Sequence, residues 1–393
     1  TRLALNNLLK TVTLPVIPPC PIAEPTEFDI NKQISSKLSR PFNVLELEMA
    51  LAMAHSRSAA GPDGITNKQL KSLGKDGKKF MLTKLNEILA SVVFPMEWKS
   101  GVGVPILKPS RPTGDNKSYR VIVKCSQLGE VLERMLLRRL MSASEAKSAL
   151  TDSMSAYRPL RSPQDNVIDL TTDIEQACRN NGHVLAAFFD IEDAFNGLTH
   201  TAVHESLQKL GIDANCRFYK IISSYLHERT LSITCGGSSS RCVVLGDRGV
   251  PQGGVLSPIL FVLAISNIAN CVPHGFHLSQ YSDNGAMWIR LNGKTVNPIA
   301  VFQLQCGIKA IVSSLEKIGL KIEPSKTKIM AFNMRRGQHV VVKIDGKTID
   351  QVTNIRFLGV HREDNCRWKM QINELKEQAL KVVNIIKNLC GLS

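Results

Sequence analysis

An unbroken apolar run, Val184-Leu185-Ala186-Ala187-Phe188-Phe189, lies between Gly182 and Asp190. More than any other feature, it limits what this chain can fold into. The run lacks the alternation of a half-exposed strand and is too short for a helix, so it reads as a strand buried on both faces. Around it, apolar residues recur at helical spacing. Asn43 with Glu46 forms a capping pair that opens a helix from Val44 to Ala54. Phe80, Leu85, Ile88, Leu89 and Val92 share one face of a helix over 78–93. Leu128, Val131, Leu132, Met135, Leu136 and Leu140 share one face over 126–141, whose other face shows Arg134, Arg138 and Arg139. Ser162-Pro163-Gln164-Asp165 starts another helix with an N-cap serine, a first-turn proline and an early acid, and that helix ends near Asn181-Gly182.

Further helices are predicted near 200–210, 214–227, 300–318 and 368–389, with an apolar one running from the loop 249–254 to about Cys271. Strand-like segments 230–235 and 241–245 flank Gly236-Gly237-Ser238-Ser239-Ser240 as a hairpin. Segments 276–282 and 286–290 flank Asn284-Gly285, a dipeptide suited to a tight turn, and two more strands are expected at 327–332 and 340–344. Helices mixed with short, partly antiparallel strands make the expected class α+β.

A chain of 393 residues has room for two or three domains. Its 49 Lys+Arg against 34 Asp+Glu leave a net charge of +15, which favours a polyanionic partner such as nucleic acid. Pro15, Pro18, Pro19, Pro21 and Pro25 mark 1–42 as an extended arm. The cysteines show no C-x-x-C spacing and read as reduced, buried thiols of an intracellular protein. The most apolar stretch, Val255 to Ile265, falls short of the about 20 residues that span a bilayer, so no membrane partner is expected. The opening Thr1-Arg2-Leu3-Ala4-Leu5 forms neither a start nor a signal segment, and reads as a cut from a longer reading frame.

Asp190 follows the buried run directly, and Asp283 sits in the hairpin turn. A carboxylate at the end of a buried strand needs a partner, and a divalent cation serves it well. Two such acids brought together would hold Mg²⁺. The alternative is that each acid merely caps a strand or bonds turn amides.

At this point the sequence resembles the reverse transcriptases of non-LTR retrotransposons. Phe189-Asp190-Ile191-Glu192-Asp193-Ala194-Phe195-Asn196 is similar to their first catalytic segment. Gly249-Val250-Pro251-Gln252-Gly253-Gly254-Val255-Leu256-Ser257-Pro258 is similar to the next, and Tyr281-Ser282-Asp283-Asn284 occupies the place of the Tyr-x-Asp-Asp turn. Flanking pieces agree in order, among them Ala60-Gly61-Pro62-Asp63-Gly64, Tyr119-Arg120-Val121-Ile122, Tyr157-Arg158-Pro159 and Phe357-Leu358-Gly359-Val360. Among the clades the closest likeness is to Jockey-type elements.

The resemblance implies a right-hand polymerase with fingers, an antiparallel palm with helices, and a partial thumb. Segments 43–182 would be fingers with part of the palm, 183–335 the palm with the catalytic motifs, and 336–393 the palm end and first thumb helix. Asp190 and Asp283 would be the metal ligands, joined by the carbonyl of Ile191, with Mg²⁺ or Mn²⁺ as cofactor. Lys108 and Arg120 would contact the triphosphate, Gln252 the incoming nucleotide, and Lys326 the departing pyrophosphate. Phe195 would lie beneath the sugar and exclude a 2′-hydroxyl, selecting dNTP. The partners implied are an RNA template and a DNA primer, with endonuclease activity supplied by missing flanks or another protein.

Asn284 departs from the family pattern, in which a second aspartate is usual, and so removes one negative charge from the site. Val121 and Asn196 also depart from it. These changes imply a weakened copy, low in activity or favouring Mn²⁺, or a relic that only grips template–primer. A group II intron maturase and an RNA-dependent RNA polymerase are the further alternatives, disfavoured by the absence of a maturase tail and by Phe195 respectively. His200 and His204, four apart on a helix, are expected as a surface pair without a third ligand. The stripe Ile372, Leu375, Ala379, Val382, Ile386 and Leu389 is expected to pack a thumb helix on its neighbours, with Lys376, Lys381 and Lys387 turned toward the primer.

Overall fold

The computed structural model describes residues 28–390 apart from 110 and 345. Short helical turns aside, the chain first forms α1 (Phe28–Ser39), α2 (Val44–Met53), α3 (Lys75–Ser91), β1 (Ser100–Leu107), β2 (Tyr119–Lys124) and α4 (Gln127–Ala146). Next come α5 (Pro163–Arg179), β3 (His183–Glu192), α6 (His200–Lys209), α7 (Arg217–Leu226), β4 (Thr230–Cys235), β5 (Ser238–Ser239), β6 (Val243–Val244) and α8 (Ser257–Ile265). The remainder forms β7 (His277–Tyr281), β8 (Asn284–Leu291), α9 (Pro298–Lys317), β9 (Lys321–Ile322) and β10 (Lys328–Phe332). Two hairpins, β11 (Lys343–Ile344) with β12 (Lys347–Thr348) and β13 (Asn354–Phe357) with β14 (Val360–Glu363), precede α10 (Lys369–Cys390).

These elements gather into two compact units whose segments interleave along the chain. One holds the described residues up to Leu150, with Asp193–Ser266 and Ile318–Leu320; the other holds Thr151–Glu192, Asn267–Lys317 and the described residues from Lys321 onward. Mixed helices and sheets agree with the α+β class.

In the first unit a sheet runs β2-β1-β4-β5, with β6 also on β4; β1 is antiparallel to β2 and parallel to β4. Strand β1 was hidden from sequence reading by Gly101, Gly103 and Pro105, residue types depleted in strands. The side chains of Val123 and Val121 fill the space that a Cβ would take at Gly101 and Gly103. Helix α2 opens with the expected capping box: Asn43 Oδ1 accepts from the Glu46 amide and Glu46 Oε2 from the Asn43 amide, each at 3.0 Å. Glu46 also accepts from Arg139 of α4 at 2.7 and 2.9 Å. Arg139, expected on an outer face, is buried; it donates to the carbonyls of Leu38, Arg40 and Pro41 and stacks 4.2 Å from the Phe42 ring. Burial is the largest single influence and would raise the Glu46 carboxyl, but the hydrogen bonds from Arg139 and the Asn43 amide, with the charges of Arg139 and Arg40, together outweigh it and the group lies below its ordinary range. Residues 28–39, expected within an extended arm, are helical; the prolines behind that expectation lie outside the described residues.

The second unit is built on the sheet β10-β3-β8-β7, antiparallel throughout, with β9 beside the far end of β3. Both faces of β3 are covered, as the apolar run requires. On one face Val184, Ala186 and Phe188 pack with Leu170, Ile174 and Ala177 of α5 and with Trp288, Met330 and Phe332. On the other side of the sheet, α9 comes close enough to Met287 of β8 that the methionine side chain fills the Cβ space of Gly307. Helix α9 is long and apolar enough to cross a bilayer by length and composition, yet Ala300, Leu304, Ile308, Ile311 and Leu315 are buried within the unit.

Two expectations fail here for identifiable reasons. The β7–β8 turn is Ser282-Asp283, with Ser282 at φ 56°, and Asn284-Gly285 already belongs to β8. Gly285 stands opposite Phe189, whose ring occupies the space of a Cβ, so this glycine serves close cross-strand approach and not a turn. Helix α10 does form, but its stripe is exposed: Ile372, Leu375, Val382, Ile386 and Leu389 are each more than half exposed. Only its start is tethered, by Trp368 under Arg362 and by Glu374 with Arg356 and His361.

Candidate active site

Strand pairing delivers the two acids to one place. Asp190 near the end of β3 is the register partner of Asn284 at the start of β8, and the Ile191 amide donates to the Asp283 carbonyl at 2.9 Å. Asp190, Ile191, Asp283 and Asn284 therefore sit on adjoining backbone at one end of the sheet. The Asp190 carbonyl accepts from the Glu323 amide at 2.9 Å, and Ile191 and Glu192 pair with Ile322 and Lys321 of β9. This short pairing positions the following turn, from which Lys326 donates to the Asp190 carboxylate as an ion pair. The Asp190 side chain is 17% exposed and that of Lys326 51%. Lys326, expected at a leaving group, thus neutralises a catalytic candidate.

Asn284 Nδ2 donates to Asp283 Oδ1 at 3.1 Å. The amide that replaces the family's second carboxylate is turned onto the first. Ser282, the other turn residue, hydrogen-bonds through Oγ to the Tyr157 hydroxyl at 3.1 Å. Burial pushes the Tyr157 phenol up; the Ser282 bond opposes this, and the nearby charge of Asp283 adds to it. Strand β7 is held from behind: Gln280 N donates to the Ser153 carbonyl at 2.7 Å, Ser155 N to the Gln280 carbonyl at 3.1 Å, and buried Asn166 to Gln280 O at 3.2 Å.

The remaining predicted residues belong to the first unit. Phe195 is half-buried and stacks on Phe261 of α8, with ring centroids 5.3 Å apart. Its carbonyl accepts from Val250 N at 2.8 Å, and the Gln252 carbonyl accepts from Val123 N of β2 at 2.8 Å. The loop 249–254 is thereby sewn to both Phe195 and β2. Arg120 is exposed on β2 opposite Ile106, and Lys108 lies just beyond β1 with Nζ 3.0 Å from the Lys117 carbonyl.

Sequence reading missed the acid that anchors this loop. Glu133 of α4 is buried, and its Oε2 accepts from Leu256 N at 2.9 Å and from the Tyr225 hydroxyl at 3.1 Å. Burial raises its carboxyl, against the Leu256 amide and the charge of Arg229, which favour the ionised form. The space beside Gly254 is filled by Tyr225 Oη and Ser257 Oγ, so a side chain there would collide with the same network. The signal was a lone acid between inward Leu132 and Leu136. The histidine pair is also misjudged from sequence: His200 is buried, with Nε2 3.0 Å from the Gly249 carbonyl, and His204 Nδ1 is 2.7 Å from the Tyr219 hydroxyl. Burial pushes both imidazoles down to about 4.

Residues 106–362 match the protein-family model described as reverse transcriptase (RNA-dependent DNA polymerase). Among curated relatives, the chain is 27% identical to the probable RNA-directed DNA polymerase from transposon BS of Drosophila melanogaster, over 82% of this chain and 36% of that protein. It is 23% identical to the RNA-directed DNA polymerase from mobile element jockey of Drosophila melanogaster, over 88% of this chain and 39% of that protein. A further relative, the putative 115 kDa protein in type-1 retrotransposable element R1DM of the same species, is 23% identical over 90% of this chain and 33% of its own length. The chain thus spans just over a third of the length of the first two.

Proposed function

This chain belongs to the reverse transcriptase (RNA-dependent DNA polymerase) family, and on that premise we propose that it is the polymerase module of a Jockey-like non-LTR retrotransposon, joining dNTPs to a primer 3′-hydroxyl on an RNA template. The observation that carries this reading is the adjoining backbone of Asp190 and Asp283, held by β3–β8 pairing. The donor set suits a hard divalent cation: two carboxylates, with the backbone of Ile191 adjoining both residues. That Asp190 already draws a lysine ammonium supports a site that needs positive charge. Asp190, Asp283 and the Ile191 carbonyl would hold Mg²⁺ or Mn²⁺, which supplies an activated primer hydroxyl and charge stabilisation on the leaving pyrophosphate.

The protein's own residues do the rest. Lys326 exchanges its bond to Asp190 for one to pyrophosphate. Lys108 and Arg120 hold the triphosphate, Arg120 as a bidentate donor. Phe195, braced on Phe261, presents a rigid ring to the sugar and rejects a 2′-hydroxyl. Gln252 meets the incoming nucleotide from a loop anchored at both ends. The net charge of +15 suits an RNA–DNA duplex partner. In the family's terms, the sheet around β3 is the palm, the β1–β2 region belongs to the fingers, and α10 begins the thumb. The nick that frees a primer end would come from flanking residues or another protein.

A second reading, a weakened copy that grips template–primer without extending it, is favoured by one observation: the Asn284 amide occupies an oxygen of Asp283 where a second charge is usual. Primer extension on RNA with Mg²⁺ or Mn²⁺ separates the two. The expected result is slow extension by the chain as it stands and none by Asp190→Ala. Asn284→Asp should raise the Mg²⁺-supported rate roughly tenfold, equivalent to about 1.4 kcal/mol. Product made equally by Asp190→Ala would remove the metal assignment, and extension confined to Asn284→Asp would establish the relic.

A further inference from the structure

Away from the paired aspartates, in the first unit, one nitrogen or oxygen from each of His200, His227 and Asp247 lies within 4.8 Å of the others. The three come from the start of α6, the residue closing α7, and the segment leading into the loop 249–254. Both histidines show the arrangement typical of metal-ligating imidazoles, in which one ring nitrogen donates to a backbone carbonyl and the other keeps its lone pair. His200 Nε2 is 3.0 Å from the Gly249 carbonyl, and His227 Nδ1 is 2.8 Å from the Ser223 carbonyl. That leaves His200 Nδ1 and His227 Nε2 as the available donors. His200 is 96% buried by its 4% exposure, and its Nδ1 is buried with no hydrogen-bond partner. A buried nitrogen without a partner is costly unless something fills the gap.

We propose that His200, His227 and Asp247 form a binding site for a first-row divalent cation, with Zn²⁺ the preferred ion and water completing its shell. Two imidazoles and a carboxylate with an open position form a zinc-type donor set, whereas Mg²⁺ prefers all-oxygen ligands. His227 and Asp247 are exposed, which gives the ion an entry path and room for water. The charge of Arg229 also reaches His200, so the Asp247 carboxylate is needed to offset it. The site is already partly assembled: His200 N donates to the Asp247 carbonyl at 3.0 Å, and Gly249 N donates to the Leu198 carbonyl at 2.8 Å. A bound ion would pin the start of α6, the end of α7 and the entry to the Gln252 loop to one another. This role does not depend on the polymerase reading, because binding and stability report it directly.

The test is calorimetric titration of the full chain with Zn²⁺ in excess Mg²⁺, which keeps the oxygen-ligand site occupied, together with Co²⁺ substitution and thermal unfolding. One equivalent of Zn²⁺ should bind and raise the unfolding midpoint. His227→Gln and Asp247→Asn, both at exposed positions that leave the core intact, should each weaken binding by about 10–100-fold and abolish the midpoint rise. The Co²⁺ form should show a nitrogen–oxygen ligand field without thiolate charge-transfer bands. Zn²⁺ binding unchanged in both variants, thiolate bands in the Co²⁺ form, or no Zn²⁺ bound by the unsubstituted chain would each overturn the proposal.

Discussion

Asp190 and Glu133 are both carboxylates that hold a neighbouring segment of this chain, yet their surroundings are opposite. Asp190 is partly accessible and partnered by an exposed lysine that can leave. Glu133 is sealed, bonded to a backbone amide and a buried tyrosine hydroxyl that cannot. A carboxylate meant to exchange partners needs a replaceable cation and a route for ligands. One meant to hold a loop needs fixed partners and no water. On the proposed reading, the contrast sets a metal-holding acid apart from a scaffold acid without reference to position in the sequence.

The largest expected effect tests the Asp190 side. Asp190→Asn should reduce primer extension to the blank while changing stability by only about 0–1 kcal/mol, the usual worth of a pair with an exposed partner. Equal losses of both, in parallel extension and urea-unfolding measurements, would make Asp190 another scaffold acid. Next is Glu133→Ala, which strands the Leu256 amide and the Tyr225 hydroxyl and opens a void. It should cost about 2–4 kcal/mol in urea unfolding, with Glu133→Gln much milder. A near-neutral Glu133→Ala would break the comparison from the other side.

Gly285→Ala comes third. The added methyl meets the Phe189 ring, and the ring must shift off the strand beside Asp190. Overpacking of this kind costs about 1–3 kcal/mol and should slow extension by displacing Asp190. A stable, fully active variant would show that the ring is free to move.

The smallest effect is in pH dependence, where Glu46 and Glu133 should act with opposite sign. The folded-state value of Glu46 is depressed, so its contribution is present above the ordinary carboxylate range and is lost as pH falls through the folded value. The folded-state value of Glu133 is raised, so its contribution is full below the ordinary range and is lost as pH rises through the folded value. Glu46→Gln should therefore flatten the acid side of a stability–pH curve, and Glu133→Gln the side above it. Slopes of the same sign for the two variants would contradict the buried assignment of Glu133.

Much of the second unit was legible from residues alone. The apolar run announced β3 with cover on both faces, and the acid after it lies where β8 brings Asp283 and Asn284 alongside. In the first unit, Asn43 and Glu46 announced α2 down to its reciprocal capping bonds. Legibility failed where a distant side chain overrode a local preference. Asn284-Gly285 is a strong turn signal, but Phe189 from another strand claims the glycine. The heptad-like stripe of α10 promised burial, yet it stands exposed. His200 looked like half of a surface pair because nothing in α6 reveals that His227 and Asp247 close around it.

By itself the amino-acid order determined the covered strand, the helix starts and the succession of polymerase-like motifs, since periodicity and capping depend on residues within a turn or two of one another. Only the tertiary structure decided which atoms meet each acid: Lys326 on Asp190, the Asn284 amide on Asp283, the Leu256 amide on Glu133. Except for the adjacent Asn284, those partners come from far along the chain, and strand register and helix packing bring them together.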